Sequence, residues 1–124
     1  MVAAKNETAM LTTFNEVDLS KVIEIRNREK EPFLNKHGVK LGFMSFFVKA
    51  VVSALKAFPE VNAQLDVDEM IYFNHCDIGI SVSTDRGLMV PVLRNCEEDS
   101  FADIEQKIAD YANKARSGSI SIQD

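Results

Sequence analysis

Three stretches of the chain place hydrophobic residues at helical spacing. The first runs from Leu19 to about Lys36 and follows Asp18, whose side chain is suited to cap the first helical turn. Its Arg, Glu and Lys residues fall away from the apolar face, which predicts a helix with one side toward water. Pro32 lies inside this stretch and has no backbone N–H, so we expect the helix to end or bend before Phe33.

The second helical stretch, residues 46–58, is almost entirely apolar. Lys49 and Lys56 are its only charged residues, Ser45 precedes it as the expected cap, and Pro59 stops it. This composition predicts a helix that is buried on most of its circumference. We assign four aromatic side chains of this region to the core: Phe43, Phe46, Phe47 and Phe58.

The third helical stretch has a signal at each end. Ser100 precedes it as a capping residue, and Gly118 follows it, where a left-handed residue commonly ends a helix. The apolar positions between them step by three and four residues, which predicts a single core face. These positions are Phe101, Ile104, Ile108, Ala112 and Ala115.

Two pairs of extended stretches lie between the second and third helices. Residues 61–65 and 70–73 predict two short strands joined by an acidic turn. Residues 78–83 and 88–93 predict two more strands around a turn that contains Asp and Gly. Pro91 cannot donate a ladder hydrogen bond, so its strand should lie at a sheet edge or contain a bulge.

The remaining segments lie near the two ends of the sequence. Residues 9–17 combine β-branched and aromatic residues without a helical stripe, which predicts a strand. Residues 1–8 resemble the last part of a helix, and residues 119–124 alternate like the beginning of a strand. We therefore expect the chain to be one segment of a larger fold.

The composition indicates a globular protein and narrows its partners. The 124 residues are 46% hydrophobic and 27% charged, without repeats or low-complexity segments, which predicts one compact unit. The formal net charge is −5 and the Lys and Arg residues are scattered, so nucleic acid is not an expected partner. No apolar run approaches the roughly 20 residues that span a bilayer, so no membrane partner is expected.

Side chains with reactive groups form no catalytic pattern of their own. Cys76 and Cys96 lack the spacing of a disulfide framework or a zinc site, so we expect two reduced thiols. His37 lies at a helix end, where an imidazole interacts with free carbonyl groups. His75 adjoins Cys76 in an extended stretch, so the two side chains point to opposite faces and cannot act as a base and its nucleophile.

The acidic turn between the first two short strands is the other candidate site. Asp66, Asp68 and Glu69 lack the spacing and the glycine of a calcium loop. A solvated turn accounts for them, and we expect no metal site in the chain.

Four segments, taken in order, resemble the acyltransferase (E2) components of the 2-oxoacid dehydrogenase complexes. They are residues 8–17 (Thr-Ala-Met-Leu-Thr-Thr-Phe-Asn-Glu-Val), 37–45 (His-Gly-Val-Lys-Leu-Gly-Phe-Met-Ser), 58–63 (Phe-Pro-Glu-Val-Asn-Ala) and 82–94 (Val-Ser-Thr-Asp-Arg-Gly-Leu-Met-Val-Pro-Val-Leu-Arg). The similarity covers essentially the whole chain. Residues 8–17 favour the branch formed by the dihydrolipoyl succinyltransferases of the 2-oxoglutarate dehydrogenase complex over the acetyl and branched-chain relatives.

This resemblance implies a fold, a reaction and partners. The expected fold is α/β, a mixed sheet flanked by helices as in chloramphenicol acetyltransferase, assembled as trimers that build cages. The family transfers an acyl group, here succinyl, from a lipoyl thioester to coenzyme A, and a histidine base activates the thiol. Expected partners are other E2 subunits, and the E1 and E3 components through separate domains. The expected compartment is the cytoplasm in a bacterium and the mitochondrial matrix in a eukaryote.

The family's catalytic motif, Asp-His-Arg-x-x-Asp-Gly, has no copy in this sequence. Neither His37 nor His75 matches the catalytic histidine, so the resemblance assigns no catalytic residue to this chain. It implies that residues 1–124 are the N-terminal half of the catalytic domain, without a lipoyl or subunit-binding domain. We expect this segment by itself to bind no cofactor and to be inactive.

The resemblance does point to one candidate substrate-binding turn. Ser83, Thr84 and Arg86 lie in the family's turn between two strands, where hydroxyl groups and a cation can meet coenzyme A or the neighbouring subunit. The competing interpretation is structural, with Thr84 and Asp85 shaping the turn and Arg86 forming a surface ion pair.

Two other functional classes remain open at this point. One is a non-catalytic assembly module, in which these helices and strands serve only contacts between subunits. The other is an antibiotic acetyltransferase similar to chloramphenicol acetyltransferase. Residues 84–92, Thr-Asp-Arg-Gly-Leu-Met-Val-Pro-Val, favour the dehydrogenase family over the latter.

Overall fold

Three helices and six short strands make up the described part of the chain, residues 9–121 and 123–124 of a computed structural model. The helices are α1 (Ser20–His37), α2 (Met44–Ala57) and α3 (Phe101–Ser117). The strands are β1 (Ala63–Asp66), β2 (Glu69–Tyr72), β3 (Ile78–Gly79), β4 (Val82–Thr84), β5 (Gly87–Met89) and β6 (Val92–Leu93). Two short 3₁₀ helices cover Pro59–Asn62 and Cys96–Glu98. The helix predicted in residues 1–8 lies outside the described residues.

The core lies where α2, α3 and the segment around β3 and β6 meet. Ile104 of α3 is fully buried, and it belongs to one cluster with Val48 and Val52 of α2. The strand region adds Leu93, Ile80 and the two cysteines to the same cluster. Tight packing of this kind fixes the helices relative to the strands, because interiors leave little free volume.

Helix α3 forms as its sequence predicts. The Ser100 hydroxyl accepts a hydrogen bond from the Asp103 N–H at 3.1 Å, and the Asp103 carboxylate accepts one from the Ser100 N–H at 3.0 Å. This reciprocal pair satisfies two free donors at the start of the helix, and it holds the pKa of Asp103 below its usual value. Gly118 ends the helix with a φ of 73°, as expected for a left-handed cap.

Helix α1 has the predicted extent but not the predicted cap. Asp18 does not cap the helix: its carboxylate accepts the Ser20 N–H at 2.9 Å in the turn before it, and Leu19 is the residue at the boundary. The helix continues through Pro32 to His37, in agreement with the predicted run to about Lys36, and it does not end at the proline. Proline removes a single helical hydrogen bond, and the flanking turns remain bonded.

The start and the exposure of α2 correct two expectations. Ser45 is not a cap, because the helix begins at Met44 and the Ser45 hydroxyl is fully buried against α3. The helix buries only one narrow face, formed by Ser45, Val48 and Val52. Of the four phenylalanines assigned to the core, three are exposed and Phe46 is partly buried. Apolar character alone did not show which face has a packing partner within the described residues.

Strands β1 and β2 form the predicted hairpin. Ala63 pairs with Tyr72 and Asp66 with Glu69, so Val67 and Asp68 form a two-residue turn. One face of the hairpin carries Leu65 beside Met70, and both side chains are exposed. The acidic residues lie at the turn and along an exposed edge, in agreement with a solvated turn.

The second predicted hairpin is present but interrupted. Ile78 pairs with Leu93 and Val82 with Met89, in one unbroken antiparallel register, and the strand ladder is missing only around Ile80 and Pro91. Because the register is the same on both sides of the gap, no extra residue is inserted and there is no bulge. The other predicted alternative agrees with the structure, since β5 and β6 each pair with one strand among the described residues and so lie at sheet edges. Pro91 explains the gap, since it has no N–H to donate. Its carbonyl still accepts the Ile80 N–H at 3.0 Å.

The strand predicted for residues 9–17 does not form in the described structure. This segment has no regular secondary structure and no strand partner among the described residues, and Phe14 is 95% exposed. A strand exists only when another strand takes up its hydrogen bonds, so composition alone could not decide this element. Of residues 119–124, the described positions also form no strand; Asp124 instead accepts the Val92 N–H at 2.8 Å.

The β1–β2 turn offers a test of backbone strain. Val67 has a φ of 57°, a conformation that costs a non-glycine residue roughly 1–2 kcal/mol. Glycine removes that cost but adds about 0.5–1 kcal/mol of chain entropy. We expect Val67→Gly to raise the free energy of unfolding by up to about 1 kcal/mol, measured by urea denaturation with intrinsic tyrosine fluorescence. Asp68→Gly is the matched control, because Asp68 has no positive φ and should only lose stability.

Exposed apolar surface predicts the association state of the isolated chain. Leu11, Phe14, Val61, Leu65 and Leu88 are each at least 70% exposed, and α2 also leaves Phe47 and Val51 exposed. Surfaces of this kind drive association in water. We expect the purified 124-residue chain to self-associate in sedimentation runs over a wide concentration range. A stable, compact monomer with cooperative unfolding would contradict this expectation.

Candidate substrate cleft

A cleft of about 600 Å³ separates the tip of the β4–β5 hairpin from the C-terminal half of α3. The hairpin contributes residues 82–86, and α3 contributes three residues from its last two turns. Strand β4 contacts α3 directly, so the two walls are held together by packing. The helical lining residues are Ala112, Ala115 and Arg116. The cleft therefore brings together residues separated by about thirty positions in sequence.

All three predicted substrate-binding residues line this cleft. Ser83 has an exposed side chain on β4, whereas Thr84 is half-buried at the end of the strand. The Thr84 hydroxyl accepts the Arg86 N–H at 3.1 Å and donates to the Gly87 carbonyl at 2.8 Å. This pattern is a turn-stabilising one, so Thr84 shapes the turn as the structural interpretation holds. Gly87 has a φ of 116°, which the turn requires.

Arg86 does not form the surface ion pair that the structural interpretation of this turn requires. Within the described residues its guanidinium forms no salt bridge, and it lies directly over Gly118 at the end of α3. A Cβ on Gly118 would clash with the Nη1 atom of Arg86. Gly118 thus has two roles, because it adopts the left-handed φ that ends the helix and leaves room for the arginine.

A second arginine faces the cleft from the helix. Arg116 lies in the last turn of α3, is exposed, and donates to the neutral Asn113 side chain. Asp85 is the one acidic residue among the described residues that line the cleft. Two guanidinium groups against one carboxylate give the cleft a positive charge, suited to an anionic ligand.

The two histidines lie away from the cleft. The His37 ring packs against Phe33 at 4.6 Å between ring centres, at the end of α1. The His75 Nε2 atom lies 3.5 Å from Asp77, but that carboxylate also accepts the Asn95 N–H at 2.9 Å and faces Arg94. Neither imidazole is among the residues that line the cleft.

Both cysteines are buried, free thiols. Burial, reinforced by the negative charge of Glu97, raises the pKa of Cys76. Burial, reinforced by Asp99, does the same for Cys96, whose Sγ lies 3.2 Å from the Leu93 carbonyl. Because the thiolate is the nucleophilic form, neither cysteine is poised to react. Among the described residues, no three His, Cys, Asp or Glu side chains gather as a possible metal site.

Glu105 was not predicted to have any special role, yet it carries a buried carboxylate. It is 6% exposed and lies on α3, seven residues before Ala112. Its Oε2 atom accepts hydrogen bonds from the Ser45 hydroxyl at 2.8 Å and from the Gly42 backbone N–H. Glu105 therefore joins α3 to the loop that precedes α2, and it helps to fix the helix that forms one wall of the cleft.

The whole chain, residues 1–124, matches the family described as 2-oxoacid dehydrogenases acyltransferase (catalytic domain). The chain belongs to this acyltransferase family. A similar protein is the dihydrolipoyllysine-residue succinyltransferase component of the 2-oxoglutarate dehydrogenase complex from Rickettsia typhi. The two are 57% identical over 121 residues, which are 98% of this chain and 30% of that protein. The chain thus spans about 30% of the curated relatives it matches.

Solved structures of acyltransferases confirm the predicted α/β fold class. A probable dihydrolipoamide acetyltransferase from Listeria monocytogenes superposes with a TM-score of 0.87 and 34% identity, over 99% of this chain and 53% of that one. The cubic core of the pyruvate dehydrogenase multienzyme complex gives a TM-score of 0.86 and 30% identity, over 97% of this chain and 50% of that one. These relatives support the acyltransferase interpretation and neither of the two alternatives.

No helix of the described residues is long and apolar enough to cross a membrane. Sequence reasoning found the hairpin half of the cleft and missed the helical half. Arg116 gave no local signal, since a basic residue in a last helical turn is ordinary. Only the three-dimensional packing of α3 against β4 places it opposite Arg86.

The role of Glu105 can be tested by removing its carboxylate. Glu105→Ala leaves the Gly42 N–H without an acceptor and leaves the Ser45 hydroxyl only the Gly42 carbonyl at 3.4 Å. Each buried donor that loses its partner costs about 1–3 kcal/mol. We expect a loss of about 3 kcal/mol in the free energy of unfolding, measured by urea denaturation. Glu105→Gln is the matched control, because its amide oxygen can still accept a bond and the loss should be smaller. A Glu105→Ala protein as stable as the wild type would contradict this role.

Proposed function

We propose that this chain takes part in the transfer of a succinyl group from a dihydrolipoyl thioester to coenzyme A, in a 2-oxoglutarate dehydrogenase complex. The observation that carries the proposal is the 57% identity, over nearly the whole chain, to a protein named as the succinyltransferase of that complex. The Listeria protein, named as a probable acetyltransferase, is 34% identical over a similar length. The difference favours succinyl over acetyl transfer.

The contribution of residues 1–124 is to build one wall of the substrate channel. We infer that they form the N-terminal half of the catalytic domain, and that the hairpin residues Ser83, Thr84 and Arg86 contact coenzyme A. The cleft supports this assignment because it is open, positively charged and lined by all three. Neither histidine faces it, so the base that deprotonates the thiol is not assigned to this segment. Coenzyme A is a substrate here, and the lipoyl group is carried by a separate domain.

We also infer that the chain assembles with other E2 subunits. The exposed apolar side chains of the 9–17 segment, of α2 and of the β1–β2 hairpin support this inference, since such surface is usually covered in a complex. The similar cubic core belongs to a multienzyme complex. Contacts with the E1 and E3 components are assigned to other domains. The corresponding compartment is the bacterial cytoplasm or the mitochondrial matrix.

The reaction is tested by assaying the full-length protein that contains residues 1–124, purified in its native assembly, with two acyl donors. We expect transfer to coenzyme A from succinyl-dihydrolipoamide to exceed transfer from acetyl-dihydrolipoamide, measured as kcat/KM. Arg86→Ala should raise the KM for coenzyme A more than it lowers kcat, because a charge contact remote from the reacting thiol contributes mainly uniform binding.

Two results would count against the proposal in different ways. Faster transfer from the acetyl donor would reject the succinyl assignment. An unchanged KM for coenzyme A in the Arg86→Ala protein would reject the contact with the coenzyme and leave Arg86 as a support for the helix end. Arg28→Ala is the matched control, because Arg28 lies on α1, pairs with Glu29 at 3.0 Å and is outside the cleft.

A further inference from the structure

We propose that Arg86 and Arg116 together bind a phosphate group on the nucleotide end of coenzyme A, and so select the phosphorylated coenzyme. This inference rests on the proposed function and adds a residue, Arg116, that the sequence did not single out. It also assigns the cleft to the nucleotide end of the substrate rather than to its reacting thiol.

The charges of the cleft support a phosphate ligand. Arg86 comes from the hairpin and Arg116 from the last turn of α3, so they approach the cleft from its two walls. Among the described residues neither is paired with a carboxylate: Arg86 lies over Gly118, and Arg116 donates to the neutral Asn113. Guanidinium groups bind phosphate through two parallel hydrogen bonds, so a pair of them suits a doubly charged oxyanion.

The position of Arg86 adds a geometric argument. Its guanidinium lies over the C-terminal end of α3, where free carbonyl groups carry partial negative charge. The same glycine that ends the helix gives Arg86 access to this place. The helix end thus holds the arginine near the cleft without neutralising it by a full charge, so the arginine stays available to an anion.

The size and lining of the cleft favour a nucleotide over a small acid. About 600 Å³ is within the range of sites that hold drug-sized ligands, whereas a succinyl carboxylate would fill only a small part of it. Ala112 and Ala115 give the helical wall small apolar side chains, and Val82 adds an apolar patch on the hairpin. A flat base fits such a surface, and the exposed Ser83 hydroxyl can hydrogen-bond to the sugar or the phosphate.

Two sources could present an oxyanion to these arginines, the phosphate of the coenzyme and the free carboxylate of the succinyl group. The first experiment separates them by direct binding to the purified protein in its native assembly, without turnover. Titration calorimetry would use adenosine 3′,5′-bisphosphate as the phosphate probe and succinate as the carboxylate probe. We expect the bisphosphate to bind, and Arg116→Ala and Arg86→Ala each to weaken it about tenfold or more.

Two further variants serve as controls in the same titration. Arg116→Lys should lose part of the affinity, because it retains the charge without the paired donors. Arg28→Ala should bind like the wild type. Binding of the bisphosphate that does not depend on either cleft arginine, or binding of succinate alone, would overturn the proposal.

The second experiment compares coenzyme A with 3′-dephospho-coenzyme A as acceptors in the succinyl-transfer assay. In the wild type we expect the dephosphorylated acceptor to have the higher KM, with kcat little changed. In Arg116→Ala the two KM values should converge. Equal values for both acceptors in the wild type would overturn selection of the phosphate, while succinyl transfer itself would stand. Arginine-dependent binding of the bisphosphate in a protein that transfers no succinyl group would reject the proposed function and support the phosphate site.

Discussion

The contact between α2 and α3 is the interaction on which the rest of this structure depends. Ile104 is fully buried at this contact, and the neighbouring Glu105 carboxylate binds two donors on the other side of it. A leucine, an isoleucine and two cysteines from the strand region pack on the same cluster. Since interiors are close-packed, any shift of α3 would move the helical wall of the cleft with it. The helical wall of the site is therefore positioned by core residues that lie about two to three helical turns earlier in α3.

The sequence predicted those elements whose signals are local. Helix α3 has a capping box, a periodic apolar face and a terminal glycine, and each signal agrees with the others. The β1–β2 hairpin was predicted in outline, although Asp66 and Glu69, which were assigned to the turn, pair in the ladder and leave a two-residue turn. In the interrupted hairpin, Pro91 correctly indicated where pairing fails, although the register shows a missing bond rather than an added residue.

The errors concern elements that depend on distant partners. Ser45 is a residue type that commonly caps helices, but its hydroxyl donates a hydrogen bond to Glu105, sixty residues later, and is buried in the core. The 9–17 segment has the composition of a strand, yet no described neighbour takes up its hydrogen bonds. The phenylalanines of α2 show the same limit, since hydrophobicity does not tell which face finds a partner. The candidate site shows the same division. One sequence motif identified the hairpin residues, whereas Arg116 was identified only from the packing of α3 against the hairpin.

In the proposed acyl transfer, the part assigned to this charged cleft is substrate binding, because no histidine is among the described residues that line it. Thioester exchange requires deprotonation of a thiol and stabilisation of an oxyanion, and neither is supplied by the residues that line this cleft. Interactions made equally in the ground state and the transition state raise affinity without raising turnover. They still hold a long substrate in one orientation, and this reduces the entropy that the reacting end must lose. Two arginines on separate walls are suited to that task, because an anion that bridges them is fixed in direction as well as in place.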